Sequence, residues 1–209
     1  MTQHLKDFMN ANIPMVEKRM NDLVKEITAP DILKEAMLYS LNAGGKRVRP
    51  LFVLAVMDHF NVEDDAAYTV GAVIEMIHTY SLIHDDLPSM DNDDYRRGKL
   101  TNHKVYGDAF ATLAGDALNT IAFGILARME QVDAQKRLEL IDKLSIAAGA
   151  EGMVGGQILD IEGETKSLTL PELEKVHVHK TGAILRFSIE SGAILAVASE
   201  KEKAIFVEY

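Results

Sequence analysis

No cysteine occurs among the 209 residues, so disulfides, thiolate metal sites and thiol nucleophiles are excluded together. Positive charge is in deficit. Lys and Arg number 22 against 32 Asp and Glu, a formal net charge of −10. That balance leaves little basic surface for a phosphate backbone, so no nucleic acid is expected as a partner; an anionic substrate needs locally concentrated positive charge, which Lys46, Arg47, Arg49, Arg96 and Arg97 provide. The N-terminus, MTQHLKDFMN, lacks the basic-then-apolar layout of a signal peptide. No apolar stretch reaches the roughly 18 residues of a membrane span, and no span is expected. A soluble, cytoplasmic protein is the expectation. Strand-like alternation of useful length is missing too, as are repeats, low-complexity segments and linkers.

What remains is a chain that is 47% hydrophobic, enough to fill one domain. Its apolar spacing is helical nearly throughout. Leu5–Ile27 reads as an amphipathic helix, bent or restarted at Pro14. Asp31 caps a second, ending at Asn42 before Gly44 and Gly45, and Pro50 suits the first turn of a third, running to Phe60. A long central helix spans Asp64 to Asp86, where Pro88 ends it, and a loop follows. Further helices are read at Thr101–Tyr106, Asp108–Met129 and Ala134–Ile161, the last with Gly149, Gly152 and Gly156 on one stripe open to a neighbouring helix. Thr169 and Glu172 form a capping box for a helix carrying Val176 and Val178; Thr181–Val197 and Glu200–Tyr209 complete the set. One all-α domain over 1–209 is the expected architecture.

The stretch Ile83–Gly98, IHDDLPSMDNDDYRRG, sets Asp85, Asp86, Asp91, Asp93 and Asp94 on the mouth of the central helix, followed at once by Arg96 and Arg97. Clustered carboxylates repel, and a hard divalent cation relieves them. Magnesium takes one or two carboxylates plus the oxygens of a bound phosphate. Arginines next door are shaped for bidentate phosphate contacts. An acidic Asn–Asp loop taken alone is more often a solvated turn. An EF-hand is unlike this stretch, since Gly and Glu positions counted from Asp85 hold Met90 and Arg96. Asp85 and Asp91, six apart, would diverge by roughly 120° on an ideal helix, so the backbone must leave α-geometry near Pro88 to bring them together. The pattern reads as a metal–diphosphate site.

Elsewhere, Lys46 and Arg49 follow a Gly-Gly turn at a helix start, where the dipole disfavours cations and an anion would repay the arrangement. His78 lies seven before Asp85 on the same face, though a lone histidine there is ordinarily a core residue. Lys180 before Gly182 resembles an ordinary helix C-terminus, and Gln157 with Asp160 fits a buried packing pair as well as a site. His177 and His179 are split across a helix, against a zinc pair; His84 is given no role. Asp116, within an apolar helix, is expected to be buried with a partner.

In order along the chain, GGKRVRP, IHTYSLIHDDLPSMDNDDYRRG, LAGDAL, GGQILDI and HKTG resemble the trans-isoprenyl diphosphate synthases, in particular the bacterial farnesyl diphosphate synthase branch with its DDxxxxD motif. The resemblance implies an isoprenoid-synthase-like helical bundle around a central cavity, and a cytoplasmic homodimer. It implies Mg2+ held by Asp85 and Asp91, with Asp86 in support. It assigns Lys46, Arg49, His78 and Arg97 to isopentenyl diphosphate, and Arg96, Lys180 and Thr181 to the allylic diphosphate. Gln157 would face the reaction cavity. Tyr80 and Ser81, five and four before Asp85, would set chain length, with the Tyr80 ring about 7.5 Å down the helix as a floor for fifteen carbons.

The implied reaction condenses isopentenyl diphosphate with dimethylallyl or geranyl diphosphate to farnesyl diphosphate. A second expectation is a non-catalytic relative that binds diphosphates or a partner chain. A terpene cyclase fits less well, having no second diphosphate for GGKRVRP to hold. Family members continue to a second aspartate-rich motif, whereas EKEKAIFVEY reads as helix without a stop. The expectation is a chain truncated before that motif, with turnover near background.

Overall fold

The computed structural model describes residues 2–207. Two compact units make up the chain, one from residues 1–51 and 68–125, the other from 52–67 and 126–209. Both are built of helices, as expected.

In the first unit, α1 (Gln3–Glu26) opens on Thr2, whose side chain accepts from the Leu5 amide. Of the bend or restart expected at Pro14, the restart does not occur: the helix runs through Pro14 unbroken. Helix α2 (Asp31–Leu41) follows Pro30, and α3 (Val48–His59) begins beyond the Gly44–Gly45 turn with Pro50 in its first turn, its residues from Phe52 onward being counted in the second unit. Helix α4 (Ala66–Asp85) starts where the Asp64 carboxylate accepts from the Ala66 amide at 2.8 Å. Val70, Ala72, Val73, Ile74, Met76 and Ile77 are wholly buried on several of its faces, which is the pattern of a core helix.

After α4 the sequence suggested only loop. The structure has a two-residue hairpin, β1 (Tyr95–Arg96) paired antiparallel with β2 (Lys99–Leu100). Arg97 and Gly98 turn it with φ of 54° and 77°, the primed-turn geometry that suits twisted strands. Strands this short leave no alternation to read. Short helix α5 (Asn102–Tyr106) and α6 (Asp108–Ala127) follow. Among the described residues α6 is long and apolar enough to cross a membrane by composition, with a mean hydropathy of 1.4. That differs from the expectation of no such stretch. Asp116 at its middle would be costly in lipid, and its Gly115 packs on His84.

In the second unit, the long helix expected over 134–161 is two: α7 (Ala134–Ala148) and α8 (Met153–Gly163). Gly149 caps the first and Gly152 precedes the second, so these glycines break the helix rather than stripe it. Helix α9 (Leu170–His177) has the expected box, Glu172 accepting from the Thr169 amide at 2.8 Å. Val178–Gly182 then forms one turn of π-helix leading into α10 (Ala183–Leu195). Helix α11 (Glu200–Val207) carries the expected final helix; residues 208 and 209, to which that expectation extended, lie outside the described residues.

Candidate functional site

Three left-handed residues shape the turn before α3: Gly44 (φ 89°), Gly45 (φ 143°) and Arg47 (φ 50°). Arg47 belonged, on sequence, with the positive charge open to a ligand; the structure buries it. Its Nη1 donates to Glu75 at 2.8 Å, its Nη2 to the Leu41 carbonyl at 2.7 Å, and its Nε to Glu17 at 3.1 Å. Arg47 therefore pins the turn from inside, which lets the residues flanking it face outward.

Those residues line a cleft of about 640 Å³, together with Gly45, Glu75, His78 and Arg97. Lys46, Arg49, His78 and Arg97, dispersed over fifty residues of sequence, are thus brought to one place. Arg97 reaches it from the hairpin turn, where its Nη1 donates to the Gly44 carbonyl. A Cβ on Gly45 would sit 2.7 Å from that nitrogen and displace the Arg97 guanidinium, and the φ of 143° itself favours glycine.

The cleft is electrostatically underfilled. Burial pushes the Arg49 guanidinium below its usual range, partly offset by Glu75 and reinforced by Arg97. Burial and then Arg47 act on Arg97 in the same direction. His78 is lowered to about 3, by burial first and then by Arg49, Arg97, Arg96 and Arg47, so it stands neutral at physiological pH. Arg49 Nε is buried without a hydrogen-bond partner. An anion in the cleft would relieve the crowding of positive charge.

At the end of α4 the helix ladder stops at Pro88, and the Asp91 amide donates to the Asp85 carbonyl at 2.8 Å. That bond carries Asp91 back alongside the helix end. Asp85 is half-buried and Asp91 exposed. Asp86, Asp93 and Asp94 each meet a cation of the chain. Arg96 holds Asp86 through Nε at 2.8 and 2.9 Å and Nη2 at 2.6 Å. Its Nη2 lies 3.8 Å from Asp93, and Lys104 meets Asp94 at 2.9 Å. Among the described residues no three carboxylates or histidines form a metal cage. The all-oxygen pair Asp85 and Asp91 nevertheless fits a hard cation that takes one or two carboxylates and completes its shell with water and phosphate.

One turn and more down α4, Tyr80 is buried and meets His84 edge-on, ring centroids 5.7 Å apart. Burial, then Asp85, raises its phenol. Ser81 donates to the His78 carbonyl at 2.9 Å. His84, which had no role on sequence, has its Nε2 3.0 Å from the Thr112 carbonyl and 3.7 Å from Asp116. Asp116 was expected to be buried; its side chain is 58% exposed, because it sits on the outer side of the packed Gly115.

In the second unit, the π-turn holds Lys180, Thr181 and Gly182. Lys180 Nζ donates to Asp160 at 2.5 Å. Gly156, one turn before Asp160 on α8, meets the Lys180 backbone so closely that a Cβ would overlap its nitrogen. Gln157 and Lys180 are half-buried and Thr181 is exposed. Extra residues in single π-turns recur at functional sites, and this one sits at HKTG, where local spacing alone read as an ordinary helix end.

A family model described as polyprenyl synthetase matches residues 30–209. The chain is 50% identical to the farnesyl diphosphate synthase of Bacillus subtilis over 204 residues, covering 97% of this chain and 69% of that protein. It is 50% identical to the farnesyl diphosphate synthase of Geobacillus stearothermophilus over 200 residues, covering 95% and 67%. A crystal structure of an FPP/GFPP synthase from Zymomonas mobilis superposes with a TM-score of 0.89 at 42% identity, over 96% of this chain and 75% of that one. The chain thus spans about two thirds of the length of these curated relatives.

Proposed function

The chain belongs to the polyprenyl synthetase family, and on that premise we propose that it acts as a prenyltransferase, condensing isopentenyl diphosphate with dimethylallyl or geranyl diphosphate to farnesyl diphosphate. The observation that carries this is the cleft lined together by Lys46, Arg49, His78 and Arg97. Its excess of fixed donors suits a diphosphate. In this reading the three cations bind and orient isopentenyl diphosphate, and neutral His78 donates one hydrogen bond to it.

Asp85 and Asp91 are the residues that would hold magnesium. Bound Mg2+ would supply positive charge that stabilises the departing allylic diphosphate. Arg96 adds fixed charge to that diphosphate. For Lys180, Thr181 and Gln157 the proposal rests on the family resemblance, and for Lys180 and Thr181 also on the π-turn that carries them. When the allylic carbon–oxygen bond breaks, the electron pair leaves with the diphosphate. The isopentenyl double bond attacks the resulting cation, and a proton is lost. The chain's part is to orient, to stabilise charge and to exclude water, with no side-chain nucleophile. The buried Tyr80 ring, with Ser81 beside it, limits product length. Residues 1–209 are taken as one enzyme domain, cytoplasmic and homodimeric.

The test is incorporation of radiolabelled isopentenyl diphosphate onto geranyl diphosphate. It is run for this chain and for a chimera carrying the C-terminal part of the Bacillus subtilis relative. Magnesium-dependent, fifteen-carbon product from the chimera, near-background product from the chain alone and longer product from the chimera with Tyr80→Ala are expected. Arg49→Gln should cost about 10²–10³ in rate, as removal of one preorganised charge does. Pyrophosphate binding without product from the chimera would favour a non-catalytic, diphosphate-binding subunit instead.

A further inference from the structure

Asp86 stands inside the acidic motif, yet its surroundings are those of a structural carboxylate. Its side chain is 5% exposed, and both oxygens accept from the Arg96 fork, Nε at 2.8 and 2.9 Å and Nη2 at 2.6 Å. The cavity that Asp86 and Arg96 help line, beside Tyr39, Thr79 and Asn102, measures only about 20 Å³. That is room for about one water. Magnesium dehydrates reluctantly and keeps several waters, so this space cannot take it.

Arg96 is also one strand of the Tyr95–Leu100 hairpin, whose far turn is Arg97 and Gly98. The exit of the hairpin is tied down separately. Thr101 donates to the Asp93 carbonyl at 2.7 Å, and Asn102 donates to the Ala36 carbonyl at 2.8 Å. The second strand is tied as well, Tyr39 donating to the Leu100 carbonyl at 2.7 Å and Lys99 to the Asn42 carbonyl at 3.3 Å. The first strand is held by the Asp86–Arg96 fork, and Arg96 leads directly to Arg97 at the Gly44 carbonyl and the cleft.

We infer that Asp86 is a positioning residue, fixing Arg96 directly and Arg97 through the hairpin, and that it is no metal ligand. The inference rests on the reading of Arg96 and Arg97 as diphosphate contacts.

Asp86→Asn keeps the shape and removes the charge. In the full 209-residue chain without ligand, amide exchange across Tyr95–Leu100 should rise at least tenfold, while that of Leu170–His177 stays unchanged. In calorimetry with pyrophosphate at saturating Mg2+, affinity should fall five- to tenfold, with the Mg2+ half-saturation point within twofold of wild type. Arg96→Gln should cost less in the Asp86→Asn background than alone. Unchanged hairpin exchange, full additivity, or a severalfold rise in the Mg2+ requirement would each overturn the inference. A wild-type chain that fails to bind pyrophosphate would sink the functional reading, and the exchange measurement would still decide the role of Asp86. If Asp86→Asn unfolds the chain, Arg96→Lys, which keeps the charge but loses the fork, is measured in the same way.

Discussion

In the cleft under Gly44–Gly45, Arg49, Arg97 and His78 are drawn partly out of water, and desolvation pushes all three toward their neutral forms. In the loop from Asp85 to Asp94, the carboxylates fan out: Asp86 turns inward to Arg96, Asp94 meets Lys104, and Asp91 stays in solvent. Like charges crowd both places, but only the basic one is assembled in advance. Buried Glu75 and the carbonyls of Leu41 and Gly44 make that possible, because they hold guanidinium groups by geometry rather than by a ligand. In the proposed reading the acidic pair, Asp85 and Asp91, would be completed by a cation and a phosphate. The two halves of one proposed chemistry therefore differ in how much of the site exists before substrate arrives.

The largest break in that comparison comes from Glu75. Its side chain is 3% exposed and its partner Arg47 1%. Glu75→Gln leaves a buried guanidinium without its main counter-charge. Loss of one member of a buried pair costs about 3–5 kcal/mol, and Glu17, still bound to Arg47, favours the lower end. Urea unfolding should show that loss, and pyrophosphate binding should weaken in parallel as the turn loosens. A change under about 1 kcal/mol would mean that the turn is held without Glu75.

A smaller effect separates the cleft from the loop by pH. The folded value of His78, about 3, lies below the ordinary 6.5 of an unfolded chain. Between those values the unfolded chain binds the extra proton, so the contribution of His78 to stability is full above about pH 6.5 and falls as the pH drops toward 3. His78→Gln removes that dependence. Relative to wild type, the variant should gain stability progressively as the pH is lowered from 7 to 5 in urea titrations. Parallel curves would show that His78 is charged in the folded chain.

The legibility of the two regions in sequence differs for the same physical reason. Helix α4 and the acidic motif are local, so periodicity and Pro88 mark them directly. The cleft residues carried only weak local signals, and a resemblance to a family was needed to gather Lys46, Arg49, His78 and Arg97. Arg47 was misread because nothing in GGKRVRP says which arginine turns inward; that depends on Glu75, 28 residues away. The π-turn at Val178–Gly182 and the break at Gly149–Gly152 are hydrogen-bond choices made by packing, among them the close approach of Gly156 to Lys180. Asp116 shows the limit of an apolar-helix argument: the helix around it is apolar, yet its own face is open.

The smallest effect on stability should come from Asp91→Asn, and that smallness is what makes it informative. Asp91 is exposed, and the contact that ties it to the loop end is its backbone amide on the Asp85 carbonyl, which the substitution leaves intact. Surface changes of this kind stay within about 0.5 kcal/mol. Relief of repulsion from the neighbouring carboxylates pushes the sign toward slight stabilisation. The ligand-dependent behaviour should be the reverse. A ligand that binds only the folded chain raises its melting temperature with concentration, so Mg2+ with pyrophosphate should stabilise the wild type. In Asp91→Asn that increment should shrink or vanish, because one of the two carboxylates available to the cation is gone, while pyrophosphate held by the basic cleft without Mg2+ should bind as before. Thermal melts with and without Mg2+, at matched ionic strength, separate the two terms. An unchanged Mg2+ increment would mean that Asp91 is a solvated turn residue and that the acidic loop does not mirror the basic cleft.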